Sequence, residues 1–280
     1  MPGKLSTDMS LTEDQIEDYR HNGYLVIDDV FSTQRVAQLR AAADSEAICA
    51  AVDERGGSER TVHLLEITRR HPEFNQLSYD ERILSRLRPL IGDDIQLQHS
   101  KLATKPAVAG VGPYRWHQDF AFFPHTNTHL AAVMVMLDDA TPENGCMQFL
   151  PGSHRMGLLN HLDGDGNFAE CQERHLWADA SKLVDITPRA GGISIHHCLM
   201  LHGSPPNTLG QPRRGLVYQY RADDAYQLAD HVFADTGTVV SGERRGRVRC
   251  EEMAVALPRR AAPGDPYGDA WNQIGSEVDL

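Results

Sequence analysis

The 280 residues carry 39 acidic and 27 basic side chains, a formal net charge of −12 that gives nucleic-acid phosphates no general footing. A hydrophobic fraction of 41% and a charged fraction of 24% are those of an ordinary globular protein able to close a core, and no apolar run approaches the roughly 18 residues of a membrane helix. Cys49, Cys146, Cys171, Cys198 and Cys250 are scattered, odd in number and without CxxC spacing, which excludes a disulfide framework and predicts reduced thiols in a cytoplasmic protein.

In chain order, the polar residues 1–10 read as a flexible tail lacking the apolar stretch of a secretion signal. Thr12 to Gln15 form a capping-box pattern that opens a helix with Ile16 and Tyr19 on one face, and Asn22-Gly23 stops it. Tyr24 to Ile27 reads as a strand and Asp28-Asp29 as a turn. Ser32 caps a second helix in which Val36, Leu39 and Ala43 share a face. Gly56-Gly57 marks a loop, Thr61 to Ile67 a strand, and Tyr79 to Leu90 a helix with Pro89 near its end.

From Ile95 the texture changes to short strand-like runs: Ile95–Leu102, Tyr114–Phe120, Leu130–Leu137, Met147–Leu150, Leu183–Ile186, Gly192–His196 and Arg214–Arg221. Turns fall between them at Pro142 to Gly145, Pro151 to Ser153 and Pro205 to Asn207. Many short strands punctuated in this way predict an all-β barrel or sandwich. Asp163 to Asn167 resembles half a calcium loop, but its twelfth position is Arg174 where a bidentate acid is needed, so it reads as a loop. Ala261 to Gly268 reads as a terminal loop. No composition break separates the helical front from the β-rich remainder, so residues 1–280 read as one domain with its core in residues 95–221.

The stretch that carries chemistry is Trp116-His117-Gln118-Asp119-Phe120. On a strand, residues two apart face the same side, so His117 and Asp119 converge while Gln118 turns away. With His202 far downstream, they make two imidazoles and a carboxylate with open positions, the donor set suited to non-haem Fe(II). Alone, His-x-Asp is weak, and a structural pair is the competing reading. His196 and His197 read as packing residues, His125 and His154 as hydrogen-bonding scaffold, Trp116 and Phe120 as core residues flanking the site, and Arg214 as a solvent-facing charge.

The chain resembles the phytanoyl-CoA dioxygenase family of Fe(II)/2-oxoglutarate oxygenases. The resemblance rests on Leu11 to Ile16 with Asn22 to Ile27, on Trp116 to Phe120 with Pro124 to Thr126, on Leu137 to Asp139 with Glu143 to Gly145, on Pro151 to Arg155, and on His202 to Ser204 with Asn207 and Arg213. It implies a mainly β, double-stranded β-helix (jelly-roll, cupin-like) core flanked by N-terminal helices. It implies His117, Asp119 and His202 as catalytic ligands of Fe(2+), and Arg213 as the fork gripping the distal carboxylate of 2-oxoglutarate, with Ser204 adding a hydroxyl. His99 and Lys101, on the strand before the metal motif, are implied contacts to 2-oxoglutarate or substrate. The implied reaction consumes O2 and 2-oxoglutarate, releases succinate and CO2, and hydroxylates an unactivated carbon of a small metabolite or natural product. Desaturation, rearrangement, cyclisation and a non-catalytic binding relative are the alternatives. Halogenating relatives replace the carboxylate that Asp119 retains. The net charge disfavours an acyl-CoA substrate. The expected partner is a small molecule, with no nucleic acid and no membrane, in a monomer or homodimer.

Overall fold

A computed structural model describes residues 9–57, 60–110, 112–163, 170–229 and 235–257. The expected tail before residue 9, most of the Asp163–Asn167 loop and the Ala261–Gly268 loop lie outside the described residues. The helical front begins with α1 (Glu13–Asn22), where the Thr12 hydroxyl accepts from the Gln15 amide at 3.2 Å and the Gln15 side chain answers the Thr12 amide at 3.0 Å. Gly23, at φ +84°, ends it in the left-handed region and turns the chain into β1 (Tyr24–Ile27). Helices α2 (Thr33–Ala43), α3 (Glu46–Asp53), α4 (Ile67–Arg70), α5 (Pro72–Ser78) and α6 (Glu81–Ile91) follow, with β2 (Val62–Leu65) between α3 and α4. The sequence reading missed α3, α4 and α5, and it made β2 longer than it is.

Two sheets face each other. The larger has seven strands in the order β1-β8-β5-β10-β3-β11, built from β3 (Ile95–Lys105), β5 (Leu130–Met136), β8 (Ile193–His197), β10 (Arg213–Ala222) and β11 (Thr238–Ser241) as well as β1, with β2 also on β3. Two short strands share the free edge of β3: β11 lies along Ile95 to Leu97 and β2 along Lys101 to Thr104. The smaller sheet runs β4 (Tyr114–His117), β9 (His202–Ser204), β6 (Met147–Phe149), β7 (Val184–Ile186). Neighbours throughout are antiparallel, as the expected mainly β, cupin-like core requires.

Side-chain alternation divides the larger sheet into two chemistries. Leu216, Tyr218 and Tyr220 of β10 join Val133, Val135, Ile193 and Ile195 on the outer face, in one apolar cluster with Leu39, Phe74, Leu77, Leu84 and Leu87 of the helices. Tyr218 and Tyr220 reach through that layer to donate to the carbonyls of Phe74 (2.9 Å) and Ser78 (3.1 Å). Burial of this face drives the helices onto the sheet, and each fully buried Leu or Phe contributes ~1.5–3 kcal/mol. The inner face carries Lys101, Ser194, His196, Arg213, Gln219 and Arg221, all buried. A bulge between Gln219 and Tyr220 passes over Gln98 of β3, which keeps Gln96 opposite Arg221. Among the described residues no helix is long and apolar enough to cross a membrane.

Candidate metal and co-substrate site

His117 is the last residue of β4, and Asp119 opens a single 3-10 turn, Asp119–Ala121, where the sequence predicts continued strand. Convergence of the two side chains survives because Gln118 between them is extended (φ −110°, ψ 129°). Gln118 points away and is tied down: its amide group donates to the carbonyls of Gly157 (2.9 Å) and Leu199 (2.8 Å), and its side-chain oxygen accepts from the Leu159 amide at 2.8 Å. His202 stands opposite His117 in the β4–β9 register, with the two rings 4.1 Å apart. One donor atom from each of His117, Asp119 and His202 lies within 4.8 Å of the others, and all three residues are buried.

Surrounding groups orient these donors. His117 Nδ1 pairs with the Arg115 carbonyl at 2.6 Å and His202 Nδ1 with the Met200 carbonyl at 2.9 Å, so each Nδ1 carries the proton and each Nε2 keeps its lone pair. Burial, and next the adjoining His117, push the His202 imidazole well below its ordinary pKa, which leaves it neutral. Burial works to raise the Asp119 carboxyl; the hydrogen bond with His196 and the Lys101 charge are among the influences that outweigh it and hold the group well below its usual range. Asp119 Oδ2 accepts from Gln219 Nε2 at 2.7 Å and pairs with His196 Nε2 at 3.2 Å, while Oδ1 lies 3.6 Å from His117 Nε2. One carboxylate oxygen is thus held by the protein and the other faces the imidazoles. Two imidazole Nε2 donors and one carboxylate fit Fe(II) and leave room for further ligands.

A cavity opens beside this group, lined by both sheets, and Lys101, Tyr114, Ser204 and Arg213 are among its walls. Arg213 is only 1% exposed, yet among the described residues no carboxylate pairs with it, and its Nε and the Ser204 Oγ are buried without a partner. A carboxylate-bearing ligand answers both. Burial lowers the pKa of Arg213, and lowers that of Lys101 against the opposing pull of Asp119.

Other sequence-derived expectations fare differently. His99 is buried but outside the cavity lining; it packs edge-on against Phe123 (5.1 Å) and pairs with the Gln98 side chain. Arg214 faces the opposite side of β10 and is no free solvent charge, since Asp138 (2.8 Å) and Asp44 (2.6 Å) hold it. His125 and His154 each meet a backbone carbonyl, of Phe123 and Arg20. Trp116 lies outside the site, stacked on Trp177 at 5.5 Å, and Phe120 is core. His196 does more than pack, because it holds Asp119. The sequence reading left out Gln219, Tyr114 and His63 as lining residues. Gln219 was recoverable, being in phase with Arg213 on one strand. Tyr114 was hidden by a register shift between Tyr114 and His117 that turns both inward at odd spacing. His63 comes from β2 and has no sequence signal.

Fold and donor set define a non-haem iron, 2-oxoglutarate-dependent oxygenase. The chain belongs to the phytanoyl-CoA dioxygenase family, whose family model matches residues 19–215. It is similar to a protein of Stutzerimonas stutzeri named a probable alpha-ketoglutarate-dependent hypophosphite dioxygenase, 32% identical over 274 residues that span 91% of this chain and 94% of the relative. A methylphosphonate hydroxylase of Gimesia maris is 29% identical over 237 residues, 81% of this chain and 86% of that protein. Among solved structures, the non-haem alpha-ketoglutarate-dependent carbocyclase of nogalamycin biosynthesis shares the fold, with TM-score 0.66 and 24% identity over 84% of this chain and 95% of that one. The protein is an Fe(II)- and 2-oxoglutarate-dependent dioxygenase.

Proposed function

We propose that this dioxygenase hydroxylates a small oxyanion of the hypophosphite or phosphonate kind. The observation that carries the reading is the charge balance of the cavity. Among its described lining residues Asp119 is the one carboxylate, against Lys101 and Arg213, with the metal's charge to be added. The distal carboxylate of 2-oxoglutarate answers Arg213 and Ser204. Lys101, whose charge acts on Asp119, is a second cation on the cavity wall that an anionic substrate would meet. The names of the two relatives above support the same substrate class.

In this reading His117, Asp119 and His202 would hold the iron, which with 2-oxoglutarate would supply the oxidising power for insertion of one atom of O2 into the substrate, the co-substrate leaving as succinate and CO2. The protein's part is placement. His196 and Gln219 fix the Asp119 carboxylate, Arg213 and Ser204 orient the co-substrate, Lys101 draws in the anion, and the enclosed cavity limits water. A small phosphorus oxyanion offers P–H bonds or one methyl group at a single atom and no neighbouring C–H for desaturation or ring closure, which favours hydroxylation. The free thiols Cys49, Cys146, Cys171, Cys198 and Cys250 support a reducing, cytoplasmic setting.

The test mixes Fe(II)-loaded protein, 2-oxoglutarate and O2 with hypophosphite, methylphosphonate or the neutral dimethyl ester of methylphosphonate, in chloride buffer. Succinate should form in step with an oxygenated, halogen-free product from an anion, and Lys101→Met should raise the KM for that anion about tenfold or more. Coupled turnover confined to the neutral ester, or an unchanged KM in Lys101→Met, overturns the substrate class.

A further inference from the structure

The cavity holds one hydroxyl that the reading above leaves unused. Tyr114 Oη is buried without a partner, as are Ser204 Oγ and Arg213 Nε, and all three residues line the same cavity. Their placement is set by the backbone. Tyr114 and Ser204 face each other across β4 and β9, so their side chains leave the sheet on the same side. Arg213 enters from the larger sheet, opposite Lys105 in the β10–β3 register.

Two neighbours pack against the phenol ring. His63 of β2 stacks on it with the ring centroids 4.6 Å apart and the planes 13° from parallel. The Lys105 Nζ lies 5.5 Å from the ring centroid, fixed in turn by the Pro205 carbonyl. Gly145 makes room for that anchor: at φ +71°, a Cβ there would lie 2.7 Å from Lys105 Nζ. Burial raises the Tyr114 pKa, so the phenol keeps its proton and remains a donor. An orphaned buried hydroxyl is destabilising, and a ring packed in place gives it no other conformation in which to escape.

We infer that Tyr114 is a third donor to the distal carboxylate of 2-oxoglutarate, completing with Arg213 and Ser204 a cradle that selects a co-substrate bearing that carboxylate. The inference rests on the co-substrate reading above and adds a residue to it. Two carboxylate oxygens have lone pairs for a guanidinium fork and two hydroxyls together, so all three orphaned groups are satisfied by one ligand group. The stack with His63 makes the β2 strand, far from the metal motif in sequence, part of the co-substrate site.

The test is binding without turnover. Under anaerobic conditions, Fe(II)-loaded wild type, Tyr114→Phe and Arg213→Gln are titrated calorimetrically with 2-oxoglutarate and with 2-oxobutyrate, which lacks the distal carboxylate. Tyr114→Phe should weaken 2-oxoglutarate about tenfold and 2-oxobutyrate less than about twofold. Unchanged 2-oxoglutarate binding, or an equal loss for both acids, overturns the role of Tyr114. Arg213→Gln separates the two levels: if it too leaves 2-oxoglutarate binding unchanged, the co-substrate reading itself fails. Circular dichroism and the melting temperature of Tyr114→Phe, expected near wild type, show that the ring still packs on His63.

Discussion

Strand β10 carries a buried arginine near each end, and the two ends are finished in opposite ways. Arg221 and Arg213 are each 1% exposed. Around Arg221 the chain supplies every partner: the Asp235 carboxylate at 2.7 Å, the Gln96 side-chain oxygen at 2.7 Å and the Ala225 carbonyl at 2.7 Å. Around Arg213 it supplies no carboxylate among the described residues, and Nε is left over. A buried charge is tolerated only with compensation. Where the fold provides it, the arginine is structural; where the fold withholds it, the proposed co-substrate would bring it. The candidate metal donors show the same contrast within one side chain, since Asp119 Oδ2 is bonded to Gln219 while Oδ1 faces the imidazoles.

The largest expected effect lies at the open end. His117→Ala or Asp119→Ala should abolish turnover and bring bound iron below one per chain, read by metal analysis and succinate release. Full activity in a chelator-treated, metal-free sample would dissolve the contrast altogether.

Next comes the pair of arginines themselves. Arg213→Met should weaken 2-oxoglutarate binding by ~2–5 kcal/mol, tens- to thousands-fold. It should leave the ligand-free protein as stable as wild type or more so, because an uncompensated buried charge is gone. Arg221→Met should do the reverse: about 3 kcal/mol of stability lost by urea unfolding, with 2-oxoglutarate affinity unchanged in the folded fraction. Variants that behave alike in both assays would break the comparison.

Much of the open end was legible in the sequence. His-x-Asp, His202 and Arg213 stand in strand phase, and an extended Gln118 preserves their convergence even though the strand ends early. The element order from Tyr24 to Arg221 was legible where alternation ran for several residues. It failed at β9 and β11, which are too short to show a period, and at α5, whose seven residues offer few repeats of a helical one. It failed at Tyr114 because a register shift changes which face a side chain takes, and at His63 because nothing local marks a strand that will cross to the site. His99, in phase with Lys101, is turned to scaffolding by Phe123, a tertiary contact invisible to spacing.

Histidines committed to structure sharpen the comparison through pH. Burial lowers His125 and His161 to about 4 and His197 to about 3. His161 is satisfied as a neutral ring: Nδ1 pairs with the Leu159 carbonyl at 2.9 Å, and Nε2 accepts the Gln118 amide at 3.0 Å. Each folded pKa is depressed below the ordinary 6.5, so the unfolded chain takes up protons first. Stability is fully present above pH ~6.5 and lost as pH falls toward 4, by up to ~3 kcal/mol per residue. Urea unfolding at pH 7 and pH 5 should show the fall, and His161→Gln should flatten it; a level wild-type profile would show these rings are not held neutral.

The smallest effect belongs to Arg214, on the outer face. Arg214→Ala removes a partly exposed ion pair with Asp138 and Asp44 and should cost about 1 kcal/mol or less, with 2-oxoglutarate affinity unmoved. A large affinity loss there, with none in Arg213→Met, would put the strand phase off by one residue.

The most direct test of the account is an anaerobic visible spectrum of the Fe(II)-loaded protein as 2-oxoglutarate is added, wild type beside Arg213→Met. The account predicts a weak metal-to-ligand charge-transfer band that saturates in the wild type and is missing from Arg213→Met at the same concentration. No band in the wild type, or an unshifted titration in Arg213→Met, would contradict it.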